Sequence, residues 1–462
     1  MNLDPFSLIL AGLAILTIGL YFLSLFQCFP RLILSLFLLF ILFQWIIVNW
    51  VGGKTTTAGL VITYLDEAVI LSLFSLIALD VLSRSKTVRL PLVIIGIGVM
   101  LASGIIGSFV GRTPFVIVIS DIFIYLKGFL LFIIFAYFCY PPANLKNQVR
   151  FFAVWGIIIL LLGMVELVNP VGFRSLTGNV MKLDWRVGIP SVQSLFIHPG
   201  LFGWFCGYSA LFAFAFYLHK KNSGSLFLFI FFVLGVLVSM RLKVIAALTA
   251  AVISGLWIYA SRTKIKMVGL IGIVAAVIVL LFRGQIAGVI QEQMEEYKNP
   301  LKPRTVLYRT SFLLAENHFP FGVGFGRFGG EVAARYYSPV YEQYKFGGLY
   351  GMRPGGEFLR DTFWPMVLGE LGVIGLISYG WVLVLLFRLL LKSYKKADSI
   401  FLKAFTLGVC LVFIEGVVES LAEPVFTKPP ACYFLFAAMG ISCSLYNRRI
   451  KPGITNESTA CS

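Results

Sequence analysis

The chain has 462 residues, 59% of them hydrophobic and 13% charged, about half the roughly 25% charged share of an average soluble domain. That balance excludes a water-soluble enzyme, a secreted disulfide scaffold and a DNA-binding protein, and it predicts a polytopic membrane protein. The 38 basic against 21 acidic residues, a formal charge of +17, read as largely topological, because cytoplasmic loops accumulate Lys and Arg.

The first uncharged stretch, Pro5 to Pro30, has 26 residues, and a second, Leu32 to Gly53, has 22. About 20 suffice to cross a bilayer as helix. The first run lacks a basic n-region and is too long for an h-region, which predicts a span rather than a cleaved signal. Further apolar runs cover 67–83, 91–111, 114–140, 150–168, 196–218, 225–240, 243–261, 267–283, 362–391, 400–422 and 430–447. The expected fold is therefore an all-α transmembrane bundle of 12–13 spans. The seven cysteines are scattered and form no C-x-x-C pair, so neither a metal site nor a disulfide framework is expected.

Alternate connections are basic: Arg31; Arg84, Lys86 and Arg89; Lys146 and Arg150; Lys220 and Lys221; Arg262, Lys264 and Lys266; Lys392, Lys395 and Lys396; Arg448, Arg449 and Lys451. The positive-inside rule places these in the cytoplasm. Two long connections then lie outside, 169–195 and 284–361. The second far exceeds the roughly 12–15 residues of an idle loop. Its Gly- and Phe-rich centre, Pro320 to Gly330, and the helical pattern of Gln291–Tyr297 and Thr305–Asn317 predict a structured cap. The expected organisation is a bundle over 1–283, the large loop over 284–361, C-terminal spans over 362–447 and a cytoplasmic tail over 448–462.

Basic charge on the outer side is the informative feature. Besides Lys54, Arg112, Arg174, Lys182 and Arg186, nine cations sit in the large loop, including Lys298, Lys302, Arg304, Arg309, Arg327 and Arg335. Arg241 and Lys243 occupy a connection of only a few residues, where an unpaired cation costs about 2.5–3.5 kcal/mol or more in a poorly hydrated site. They either bind an anion or pair with a carboxylate. A guanidinium fork suits phosphate oxygens, and a convergence of Arg186, Arg241 and Arg309 would suit a diphosphate.

His198, before Pro199, reads as an interfacial hydrogen-bonder or a catalyst. Glu415, Glu419 and Glu423 share one helix face by their i, i+4, i+8 spacing, and read as partners of the outer arginines or as a general base. Asp121 and Lys127 lie in one span but, six residues apart, point to different faces. Asp361 is either a helix cap or a carboxylate that orients or deprotonates an acceptor hydroxyl, and Glu370 lies about two turns deeper.

Four pieces, in order over roughly residues 180–380, resemble the O-antigen polymerase and ligase superfamily. They are Arg186 with His198-Pro199; Ser239-Met240-Arg241; Arg309 followed by Pro320-Phe321-Gly322-Val323-Gly324-Phe325-Gly326; and Gly369-Glu370-Leu371-Gly372-Val373-Ile374-Gly375-Leu376. Family ligases carry a His-Asn pair before the last helix. Here the stretch reads Asp361-Thr362, which favours the polymerase branch.

The resemblance implies a GT-C-like, metal-independent glycosyltransferase without cofactor, multi-pass in a bacterial inner membrane, with its active site on the periplasmic face. It would polymerise undecaprenyl-diphosphate-linked oligosaccharide repeats of O-antigen or exopolysaccharide. Its partners would be that donor, a glycan acceptor, membrane lipids and a chain-length-regulating membrane protein, with no nucleic acid. The residues implied are Asp361, Glu370 and His198 for catalysis, and Arg186, Arg241, Lys243 and Arg309 for the diphosphate. Ligation of glycan to a lipid or protein, transport or flipping of lipid-linked glycans, and a scaffold with a docking loop remain the alternatives.

Overall fold

The computed structural model describes residues 30–83, 91–138, 142–178, 183, 185–186, 188–259 and 301–450. Among them, nine helices are long and apolar enough to cross a membrane, and two shorter apolar helices bring the total to eleven. Eleven of the thirteen expected runs are thus helical. The other two, 5–28 and 267–283, lie outside the described residues, as do Gln291–Tyr297, Lys182 and Lys298.

In chain order the spanning helices are α1 (Pro30–Trp50), α2 (Thr57–Ser83), α3 (Pro91–Val110), α4 (Phe115–Tyr137) and α5 (Pro142–Val168). A short α6 (Pro170–Leu176) and a two-stranded hairpin, β1 (Trp185–Arg186) with β2 (Ile189–Pro190), follow. Next come α7 (Pro199–Lys220), α8 (Ser223–Val238) and α9 (Leu242–Tyr259). The large loop holds α10 (Pro303–Asn317), α11 (Glu331–Tyr336) and α12 (Pro339–Gln343). The chain then returns through α13 (Trp364–Lys396), α14 (Ile400–Glu419) and α15 (Ala431–Ile450).

Local chemistry sets the boundaries. Asn169, Asn222 and Ser399 cap α6, α8 and α14 by accepting the amides of Gly172, Ser225 and Leu402 at 3.0–3.1 Å. Prolines open α6, α7, α10, α12 and α13, where no intrahelical amide bond is lost.

Helix α7 is the centre of the bundle. Inside the protein lies 78% of its apolar window, against 28% for α5, and a helix that is apolar all round belongs inside. It packs on α8, α9 and α14, while α3 packs on α13 and α4 on α15. In lipid, close packing rather than water exclusion drives such contacts, so small residues mark them. A Cβ on Gly408 would lie 2.5 Å from the ring of Phe212, and one on Gly440 would lie 2.5 Å from the Phe132 carbonyl. Exposed Phe109, Ile253 and Trp257 are the outward-facing counterpart. The loop has its own apolar core, built on Leu307, Leu314, Phe328, Tyr341, Phe346 and Met352, which is what makes it a folded cap.

Candidate functional site

Two of the glycine-rich motifs turn out to be one joint. Helix α13 breaks at Gly372, whose φ of 65° and ψ of −166° leave the carbonyls before it without helical partners. The loop fills the break. Val323 donates to the Gly369 carbonyl and Gly324 to the Glu370 carbonyl, both at 2.9 Å. Irregular backbone is tolerated at membrane depth only where protein covers it. The glycine face of α3 provides the cover, since Gly107 carries no side chain where Gly324 and Phe321 approach.

Side chains complete the joint. Glu370 is fully buried; its Oε1 accepts the amides of Arg327 (2.9 Å) and Phe328 (3.0 Å), and its Oε2 accepts the Tyr125 hydroxyl (2.9 Å). Asp121 accepts the Gly326 amide at 2.8 Å. Hydrogen bonds of this kind contribute about 0.5–1.5 kcal/mol each. The structure thus places Glu370 away from Asp361 and His198: its carboxyl accepts two backbone amides and one hydroxyl, which makes it an anchor for the loop.

The polar site lies at the loop end of α7, α9 and α14. His198 caps α7 by accepting the Gly200 amide on Nδ1 at 3.0 Å, and Gly200 leaves room for the Lys243 side chain beside that ring. Desolvation, and then Arg241, lower the His198 pKa although the side chain is solvent-exposed, and a lowered value leaves the ring neutral at physiological pH. Lys243 pairs with Glu423, which also pairs with Lys428 at 2.6 Å. Burial alone would raise the Glu423 carboxyl, but the two lysines outweigh it and hold it well below the usual range. Across the site, Arg304 of α10 pairs with Asp361 at 2.7 Å. Burial dominates there: Asp361 is raised despite Arg304, with Glu423 adding to the rise.

Three bonds hold these pieces in register. Tyr308 of α10 donates to the Leu421 carbonyl at 2.7 Å, and Trp364 at the start of α13 donates to Ser420 at 2.9 Å. Both grip the turn that carries Glu423. Val192 donates to the Val238 carbonyl at 3.1 Å, tying the segment before His198 to the end of α8. A buried ion pair between Arg174 and Glu166 (2.8 Å) braces the same segment, with Glu166 Oε2 accepting the amides of Gln193 and Ser194. Arg174 is thereby structural.

Of the residues singled out in the sequence, His198, Arg241, Lys243 and Asp361 share this neighbourhood. Arg309 does not; it is exposed, on the helix face that also shows Phe312. The expected trio of Arg186, Arg241 and Arg309 is therefore corrected: Arg304, five residues earlier in the same helix, is the arginine of α10 that meets the site. Arg186 is half-buried on β1, paired in register with Ile189.

The carboxylate stripe is also revised: α14 ends at Glu419, so Glu423 lies in the following turn, and among the described residues its ion pairs are with lysines. Below it, both oxygens of Glu415 and Oε2 of Glu419 are buried without hydrogen-bond partners among the described residues. Sequence reading missed Lys428 and the role of Arg304. Only the i+5 spacing of Lys428 after Glu423 hinted at the first, and nothing local marked the second.

The chain matches no protein-family model and no curated protein.

Proposed function

We propose that the chain is a membrane glycosyltransferase that polymerises undecaprenyl-diphosphate-linked oligosaccharide repeats of an O-antigen or exopolysaccharide, in a bacterial inner membrane with its site on the periplasmic face. One observation carries the reading. The Lys243–Glu423–Lys428 array lies beside the Arg304–Asp361 pair at the loop end of the bundle, next to Arg241 and a neutral His198. The motif resemblance supports the same conclusion.

In this reading, the acceptor hydroxyl oxygen attacks the anomeric carbon of the donor, and the bond from that carbon to the diphosphate breaks. The hydroxyl proton passes to the Asp361 carboxylate, whose raised pKa suits a base that must hold a proton. Arg241, Lys243, Lys428 and Arg304 meet the charge that develops on the leaving diphosphate. Glu423 holds the two lysines in place until the diphosphate competes for them.

The test is genetic: delete the gene and separate surface polysaccharide by size. Loss of long chains with single repeats still attached supports a polymerase, and loss of all attached glycan assigns a ligase. Normal chains remove both readings. A second reading, transport of an anionic lipid-linked substrate, draws on Lys127, which is buried in α4, 5.7 Å from the Tyr433 ring centre, with no carboxylate within 4 Å among the described residues. Substrate flux across proteoliposomes that survives Asp361→Asn would favour it.

A further inference from the structure

A crevice runs along α7 from Trp204, which also borders the polar site, to Lys220 at the end of the bundle opposite the loop. Its volume is about 320 Å³, within the usual range for a ligand pocket. The walls come chiefly from α5, α7, α8, α14 and α15, with Ser35 and Leu38 of α1 and Phe135 of α4, and are mostly apolar, with Phe205, Phe212, Phe216, Phe401 and Phe434 prominent. Along α7 the lining runs from Trp204 to Lys220. At 1.5 Å per residue that is about 24 Å, deeper than the roughly 15 Å of one leaflet, half of a ~30 Å hydrocarbon core.

Its charge is confined to one end. Lys146, Arg150 and Lys220 line that end, each exposed and with no carboxylate within 4 Å among the described residues. The Lys220 ammonium sits 5.1 Å from the Phe216 ring centre and 5.7 Å from that of Phe401, which holds it over the crevice mouth. Gln148 and Ser35, bonded to each other at 2.7 Å, add a neutral polar rim.

We propose that this crevice binds one anionic phospholipid, with an acyl chain against the phenylalanines and the headgroup phosphate held by Lys146, Arg150 and Lys220. An apolar shaft closed by cations at a single end matches a molecule with a long hydrocarbon chain and one anionic head. The cations at the Lys220 end favour a headgroup there; a polyprenyl chain entering from the loop end past Trp204 is the rival occupant, and the identity of the co-purifying lipid separates the two. The lipid binds as a structural ligand, and the proposal stands whether or not the chain is a glycosyltransferase.

The experiment is to purify the full chain in mild detergent and quantify co-purifying lipids by class against the membrane it came from. The wild type should carry an anionic phospholipid enriched at least threefold over its membrane share. Lys146→Gln/Arg150→Gln/Lys220→Gln should abolish the enrichment, and these exposed positions put folding at little risk. Ala438→Phe, which fills the shaft and leaves the cations, should lose the lipid as well.

A second measurement needs no variant. Wild-type protein in nanodiscs containing anionic phospholipid should melt several degrees above the same protein in purely zwitterionic nanodiscs. No enrichment in the wild type, enrichment unchanged in the triple variant, equal melting in the two nanodiscs, or recovery of a polyprenyl phosphate in place of phospholipid would each overturn the proposal.

Discussion

Gly322 of the loop and Gly372 of α13 lie back to back, so close that a Cβ on Gly322 would come within 2.5 Å of the Gly372 amide. A Cβ on Gly372 would come within 2.2 Å of the Pro320 carbonyl. Both residues also have positive φ. Gly372→Ala should therefore cost about 1–3 kcal/mol from backbone strain alone, with the clash adding to it. A thermal melt in detergent reads this directly; an unchanged melting point would mean that the loop does not fill the helix break.

Glu370 separates an anchor from a base. A glutamine there still accepts the Arg327 and Phe328 amides through its carbonyl, so on the proposed chemistry Glu370→Gln should keep most of the activity. Glu370→Ala should leave buried amides unpaired, at about 1–3 kcal/mol for each such group, and expose the loop to protease. Limited proteolysis beside a polymer-length assay distinguishes the two, and complete loss of activity in Glu370→Gln with an intact loop would restore the role of base.

On the proposed chemistry, Arg304→Lys keeps the charge but loses the planar fork, and should lower the rate about 10²–10³-fold. Arg309→Ala, at an exposed position, should change it little. Polymer length from membranes with matched protein levels is the readout. The reverse ranking would return the site to Arg309.

The pH response follows from His198. Its folded pKa lies below the ordinary 6.5, so the folded state prefers the neutral ring. The stability this contributes is fully present above pH 6.5 and is lost as pH falls through the lowered folded value, and because the ring is exposed, solvent screening keeps it small. Melting temperature should decline across that window in the wild type. His198→Asn, which can still cap α7 through its side-chain oxygen, should flatten that part of the decline. An equal slope in both proteins would show that His198 is not the group responsible.

Glu415 is buried between α7 and α14, where Gly207 leaves space for its carboxyl, and neither oxygen has a partner among the described residues. Breaking a buried pair is costly, but the described residues hold no pair to break here. Glu415→Gln should leave the melting temperature unchanged or raise it. A drop of several degrees would reveal a ligand or proton that the carboxylate serves.

The chain order of the helices was legible in the sequence because lipid imposes a one-dimensional rule: a run of apolar residues long enough to span must be helical to satisfy its own backbone. Eleven apolar runs stand as helices on that rule alone, and the expected helix at Thr305–Asn317 is α10. The placement of Arg241 and Lys243 at the membrane surface was accessible for a similar reason, since their connection is only a few residues long; that His198 lies beside them was not.

Tertiary structure alone decided the rest. Arg304 and Arg309 carry the same charge on the same helix, and only the packing of Leu307, Thr310 and Leu314 against the cap and α13 determines which one faces Asp361. Glu370 read as a candidate base because its oxygens are invisible in one dimension. Their partners, Tyr125, Arg327 and Phe328, lie up to 245 residues away. Charge and hydropathy are properties of each residue and can be read in order. Which donor reaches which carboxylate depends on rotation about a helix axis and on contacts between distant segments, and those exist only once the helices have packed.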